Sequence, residues 1–230
     1  HWETLEKMTQ AGTAKDCFLR YNSNLSRVDF NGKNLYDYLP HFKDWMMCAS
    51  IDGTGKIGEF IRTGLVWEEW LANFKQGCML PGGKEKMIID LTITGPGMFS
   101  LKELFDLSKE LGVRIETKMM FAFHSDMVFS AFAWPREILD KVIDDNLAYM
   151  LPTADRRQDT LVNTLKEMKN RPTFAEQWED HHEPSVGGRQ FQARLSRIRK
   201  DKEMGMPTIE DIYQEHCPEL YDWWMECWDE

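Results

Sequence analysis

Hydrophobic residues in the first half of the chain recur at helical spacing and then in short apolar runs, by turns, as helices and strands do when they alternate. Trp2 to Ala11 has the helical spacing, and Gly12 is placed to stop it. Asp16 to Asn22 reads as a strand, Asn34 to Phe42 as a short helix and Asp44 to Ile51 as a second strand. Trp67 to Lys75 forms the next helix, stopped by Gly77 and the Pro81-Gly82-Gly83 cluster. Lys86 to Thr94 is a third strand, closed by Gly95-Pro96-Gly97, which reads as a plain loop. Ser100 is set to cap a helix reaching Leu111, with Glu103 at capping-box spacing. Gly112 ends that helix, and Val113 to Met119 is a fourth strand. Strand and helix in turn, with short connections, predict an α/β fold on a parallel sheet; right-handed crossovers would make it open or a partial barrel.

The second half changes character. Phe121 to Trp134 is aromatic without a clear period, and Pro135 opens a helix at its first position, running to about Asn146. Thr153 to Asn170 and Gln190 to Lys202 are helical, separated by Arg171-Pro172-Thr173 and a loop around His181-His182. Pro207-Thr208 starts a short helix, and Pro218 starts a last one rich in Trp.

Charge narrows the partners. With 28 Lys and Arg against 38 Asp and Glu, the formal charge of −10 repels phosphate backbones and anionic lipid. Neither nucleic acid nor a membrane is therefore an expected partner, and no apolar run approaches the ~18–20 residues of a membrane span. The five Cys (17, 48, 78, 217 and 227) are odd in number and fall mostly in predicted strands or helices, which fits reduced thiols in the cytoplasm. The chain opens on His1 already inside a helical pattern, as a fragment or trimmed chain would.

Candidate chemistry gathers where strands end. Ser50-Ile51-Asp52-Gly53 closes the second strand, and Arg62 follows in Glu59-Phe60-Ile61-Arg62-Thr63-Gly64. The carboxyl end of a strand is where α/β units present ligands. The Asp52 carboxylate can accept ribose hydroxyls, and a guanidinium matches a carboxylate through two parallel hydrogen bonds. Asn22 and Asn24, in Tyr21-Asn22-Ser23-Asn24, offer donor and acceptor together. Each has a plainer reading: the Asn residues as turn formers, Asp52-Gly53 as an ordinary turn, Arg62 as a surface cation. His181-His182 reads as a solvated loop before it reads as a metal site, and His216-Cys217 is equally weak.

Taken in order, these motifs resemble radical S-adenosylmethionine proteins with a small C-terminal twitch region, over the part of such a chain that follows its cluster loop. The likeness is best over residues 1–125. It continues through Trp134-Pro135 to the acidic-aromatic tail at Pro218-Glu219-Leu220. It implies a partial (β/α) barrel over 1–125 and a twitch-like, mainly helical region over 126–230. It also implies S-adenosylmethionine at the carboxyl ends of the strands. Asn22 and Asn24 would approach its methionine and ribose end, and Ser50 and Asp52 the ribose or methionyl portion. Gly53 would let backbone come close, Arg62 would pair with the methionyl carboxylate, and Thr94 would line the adenosine side. In that family a [4Fe–4S] cluster, fed by an electron donor, cleaves the cofactor to a 5′-deoxyadenosyl radical that abstracts a substrate hydrogen. The substrate is unknown, with a peptide among the classes known for relatives.

The cluster motif, three Cys at C-x3-C-x2-C, does not occur here; Cys17, Cys48 and Cys78 stand about thirty residues apart. The Gly-Gly-Glu segment that follows it is also absent. Both belong upstream of a helix like Trp2–Ala11, so truncation is the expectation, and this piece alone is not expected to cleave the cofactor. No Cys lies between Cys78 and Cys217, so no auxiliary cluster is expected. Two rival readings stand beside this one: a non-catalytic binding or scaffold module of the same fold, and an unrelated α/β domain for a nucleoside or amino acid.

Overall fold

Among the described residues the strands form one four-stranded parallel sheet and one small hairpin. Phe18–Ser23 (β1) leads into the hairpin strands Asp29–Phe30 (β2) and Lys33–Asn34 (β3). Asp44–Ile51 (β4), Met87–Ile93 (β5) and Arg114–Met119 (β6) complete the sheet, in the order β1-β4-β5-β6. Order in space follows order in sequence, with no reversal. Pairs such as Ser23 with Ala49, Ile51 with Leu91 and Ile93 with Met119 bring all four carboxyl ends to one edge. The computed structural model describes residues 2–120, 129–179, 203, 205 and 207–226.

The helices are Trp2–Gln10 (α1), Leu35–Tyr38 (α2), Gly55–Ile61 (α3), Trp67–Cys78 (α4), Gly83–Lys86 (α5) and Leu101–Leu111 (α6). Arg136–Met150 (α7), Asp159–Lys169 (α8), Phe174–Glu179 (α9), Ile209–His216 (α10) and Pro218–Glu226 (α11) follow. No described helix is long and apolar enough to cross a membrane.

The sheet has two unlike faces. Trp45, Met47, Ala49 and Ile51 line up with Met87, Ile89, Leu91 and Ile93 on one face, and all are buried. Fully burying side chains of this size is worth about 1.5–3 kcal/mol each, so this layer drives assembly. On α4, Trp67, Trp70 and Phe74 stack one on the next at 5.5 and 5.0 Å. The buried cluster runs without a break from Leu5 to Trp224, through both halves of the chain. Residues 121–128, which contain the expected boundary at 125, and the predicted helix 190–202 lie outside the described residues.

Several local expectations are corrected. The helix over Asn34–Phe42 is one turn, α2, continued by a 3-10 turn over Leu39–His41, with the Asn34 side chain accepting from Tyr36 N. Ser100 stands before α6 without capping it: its hydroxyl donates to Gly97 O, and Glu103 instead accepts from the Thr54 hydroxyl. Pro135 precedes α7, and its carbonyl accepts the first helical bond from Leu139 N. The helix expected from Thr153 begins only at Asp159, after Arg157 has lent its carbonyl to Ile115 N at the sheet's β6 edge. Gly95-Pro96-Gly97 is no plain loop; Pro96–Ser100 is a buried 3-10 turn. Gly112, at φ +69, does end α6.

Candidate functional site

Beyond Ile51 the chain turns through Asp52, Gly53 and Thr54 into α3, and this helix returns Arg62 to the strand end. Arg62 Nε donates to Asp52 Oδ2 at 2.6 Å, and Nη2 donates to Oδ1 at 3.1 Å. The pair is bidentate and largely shielded, with the Asp52 side chain 11% exposed and that of Arg62 28%. Arg62 therefore presents one edge to Asp52. Its Nη1 has no partner among the described residues.

Two glycines hold this turn from opposite sides. A Cβ on Gly58 would stand 2.9 Å from the Gly53 carbonyl carbon, and one on Gly97 would run into the Asp52 carbonyl oxygen. Only residues without a side chain let α3 and the Pro96–Ser100 turn approach so closely. Thr94 Oγ1 accepts from Gly97 N at 3.1 Å and fixes the second of these turns. A third tie comes from α4, where Asn73 Nδ2 donates to Leu25 O at 2.9 Å behind the β1 end, and buried Tyr36 donates to Asn73 O at 2.6 Å.

The predicted residues thus sort by role. Ser50, Asp52, Gly53 and Arg62 come together at the β4 end. Asn22 is exposed on the same side of the sheet as Ser50. Asn24 is exposed, and its Oδ1 accepts from Ser26 N and Oγ, the turn-forming role. Thr94 is 3% exposed, and its Oγ1 is engaged within its own loop. Gly53 serves close packing within the chain, since a Cβ there would meet Ser100 Oγ at 2.9 Å.

The polar face of the sheet is what the motif reading missed. Ser50 Oγ donates to Asp90 Oδ2 at 3.1 Å, and Lys118 Nζ reaches the same oxygen at 3.3 Å, a line across β4, β5 and β6. Arg20 on β1 donates to Cys48 Sγ at 3.8 Å. Thr92 and Glu116 share this face. Its signal was present: polar residues at 20 and 22, 50, 90 and 92, and 116 and 118 alternate with residues of the opposite face. All-parallel sheets ordinarily read as continuous apolar runs, so this alternation marks a face left for polar contact.

A metal has no prepared seat in what is described. No group of three or more His, Cys, Asp or Glu stands together among the described residues. Burial pushes the Cys78 thiol up to about 11, far from a ready thiolate ligand. His181, His182 and Cys227 lie outside the described residues. Comparisons with family models, curated proteins and solved structures find no match to this chain.

Proposed function

We propose that this chain is the cofactor-cradling part of a radical S-adenosylmethionine enzyme, with the sheet forming an arc of a (β/α) barrel. The observation that carries the reading is the convergence of Ser50 and the Asp52–Arg62 pair at the carboxyl end of β4. The arc is supported by strands that follow one another in space as in sequence, and by a polar face where a barrel has its interior. The donors and acceptors fit an amino acid joined to a nucleoside. Arg62 keeps N–H groups for a carboxylate while Asp52 holds its plane, which makes Asp52 a positioning residue. The Ser50 hydroxyl can accept from an ammonium or ribose hydroxyl while still donating to Asp90, and the Asn22 amide offers both functions. Beside a reduced iron–sulfur cluster, S-adenosylmethionine supplies one-electron chemistry that ends in hydrogen abstraction from a substrate. The cluster itself finds no three-Cys seat among the described residues.

Calorimetric titration with S-adenosylmethionine tests the cradle. Binding is expected, and Arg62→Gln weakens it at least about tenfold, equivalent to ~1.4 kcal/mol. Ser50→Ala weakens it less, and Arg171→Ala, at an exposed position just beyond α8, leaves it unchanged. Absence of binding, or equal effects of Arg62→Gln and Arg171→Ala, would remove the carboxylate role. Reductive formation of 5′-deoxyadenosine by the gene product reconstituted with iron and sulfide is the matching activity test.

A further inference from the structure

A pocket of about 390 Å³ lies away from the strand ends, between the Pro96–Ser100 turn, α6, α7 and the α10–α11 junction. That is ample for a small metabolite. Its wall includes the end of an aromatic stack that begins in the core. Trp134, 1% exposed, stacks on Phe99 at 5.6 Å and 21°, and Phe99 stacks on His216 at 5.4 Å and 12°. His216 is exposed while one of its faces is covered by Phe99, so its uncovered surface belongs to the pocket.

Charge around this ring is balanced. Lys141 and Glu219 are already paired, with Nζ 2.8 Å from both carboxylate oxygens. Lys102 and Asp145 are not: among the described residues neither has an ion-pair partner, and Lys102 Nζ stands only over the Tyr149 ring, at 5.5 Å. Buried Asn146 also lines the wall. Its Nδ2 donates to Met98 O and Val142 O, while its buried Oδ1 has no donor among the described residues.

We infer that this pocket binds a free aromatic α-amino acid. The flat side chain continues the stack on His216, the carboxylate meets Lys102, and the ammonium meets Asp145. A zwitterion suits a lining of two lysines and two carboxylates better than an anion does, because Asp145 and Glu219 repel a phosphate. This site is independent of the cofactor reading: its residues lie on other elements, and either can fail alone.

Isothermal titration of the chain with L-tryptophan and L-phenylalanine tests it. Both are expected to bind. Tryptamine (no carboxylate), indole-3-propionate (no ammonium) and L-leucine (no ring) each bind at least about tenfold more weakly. His216→Ala, Lys102→Gln and Asp145→Asn change exposed side chains; each lowers affinity for L-tryptophan by a similar factor while the free protein still unfolds cooperatively on heating. No heat with either amino acid up to about 5 mM overturns the inference, as does L-leucine binding equally well or indifference to all three substitutions. Adenosine monophosphate binding in place of the amino acids would make this a nucleotide pocket and overturn it as well.

Discussion

Gly97→Ala isolates the packing that shapes the strand end. Gly97 does not have a positive φ, so alanine accepts its backbone, and fewer unfolded conformations would by themselves stabilise the protein by about 0.4–1 kcal/mol. The contact opposes this. The new Cβ would lie 2.7 Å from Thr94 Oγ1 and closer still to the Asp52 carbonyl oxygen. Carbon and oxygen ordinarily sit no nearer than about 3.3 Å, so the Pro96–Ser100 turn and the Asp52 turn must part by ~1 Å. Both partners are backbone or its immediate hydrogen-bonding side chain, so neither swings aside. Overpacking of this kind costs about 2–3 kcal/mol, leaving a net loss of roughly 1–2.6 kcal/mol and a Tm lower by ~2–10 °C. Urea and thermal unfolding, followed by far-UV circular dichroism, measure both. A Gly97→Ala protein as stable as the parent, or more so, refutes the two-sided clamp.

Three further outcomes follow from other contacts. Tyr213→Phe removes the acceptor for buried Trp134 Nε1, bonded at 3.1 Å, and should cost about 1–2 kcal/mol in urea unfolding; a loss below ~0.3 kcal/mol contradicts the bond's importance. Glu176 is held at about 2, against an ordinary 4.5, by Arg136 and by Thr173 N. A depressed carboxyl pKa gives stability above the ordinary value and loses it as pH falls from 4.5 towards 2. Glu176→Gln should therefore destabilise at pH 6, by at most ~1 kcal/mol because its side chain is 43% exposed, and the deficit should vanish near pH 2. Cys78, buried and with its thiol pushed up to about 11, should react with iodoacetamide at pH 8 far more slowly than half-buried Cys17; equal rates in peptide mass mapping would refute this.

Most of the sheet was legible because glycine and proline punctuate it. Asp44 to Ile51 is the strand expected residue for residue, and Gly112 ends α6 as its position suggested. Helix α3 was not legible. It spans seven residues with Gly55 and Gly58 inside, poor helix formers, and its formation depends on Gly58 packing against Gly53. Without α3, Asp52 and Arg62 read as two separate candidates instead of one ion pair. Asn24 and Thr94 make their contacts within their own turns for a related reason: a polar residue at a strand end serves its own turn as readily as a ligand. Ser100 and Glu103 have capping-box spacing, yet Thr54, distant in sequence, competes for the carboxylate. The polar face was legible in principle, through the alternation of Asp90 with Leu91 and Thr92 with Ile93, but it asked for a comparison of all four strands at once.

That alternation has a consequence for the chain before it folds. Parallel strands pair late, because each must wait for a crossover helix, and uninterrupted apolar strands are hazardous while they wait. A charge or amide at every second position, as with Arg20 and Asn22 in β1 and Arg114, Glu116 and Lys118 in β6, makes a poor seed for self-association. The protection is uneven. Trp45 to Ala49 and Met87 to Ile89 carry no polar interruption, and these two windows lie on the central strands, where the folded sheet covers them from both sides. Nascent chains halted before β5 and β6 have formed would expose the first window, making it the natural place for a chaperone to hold.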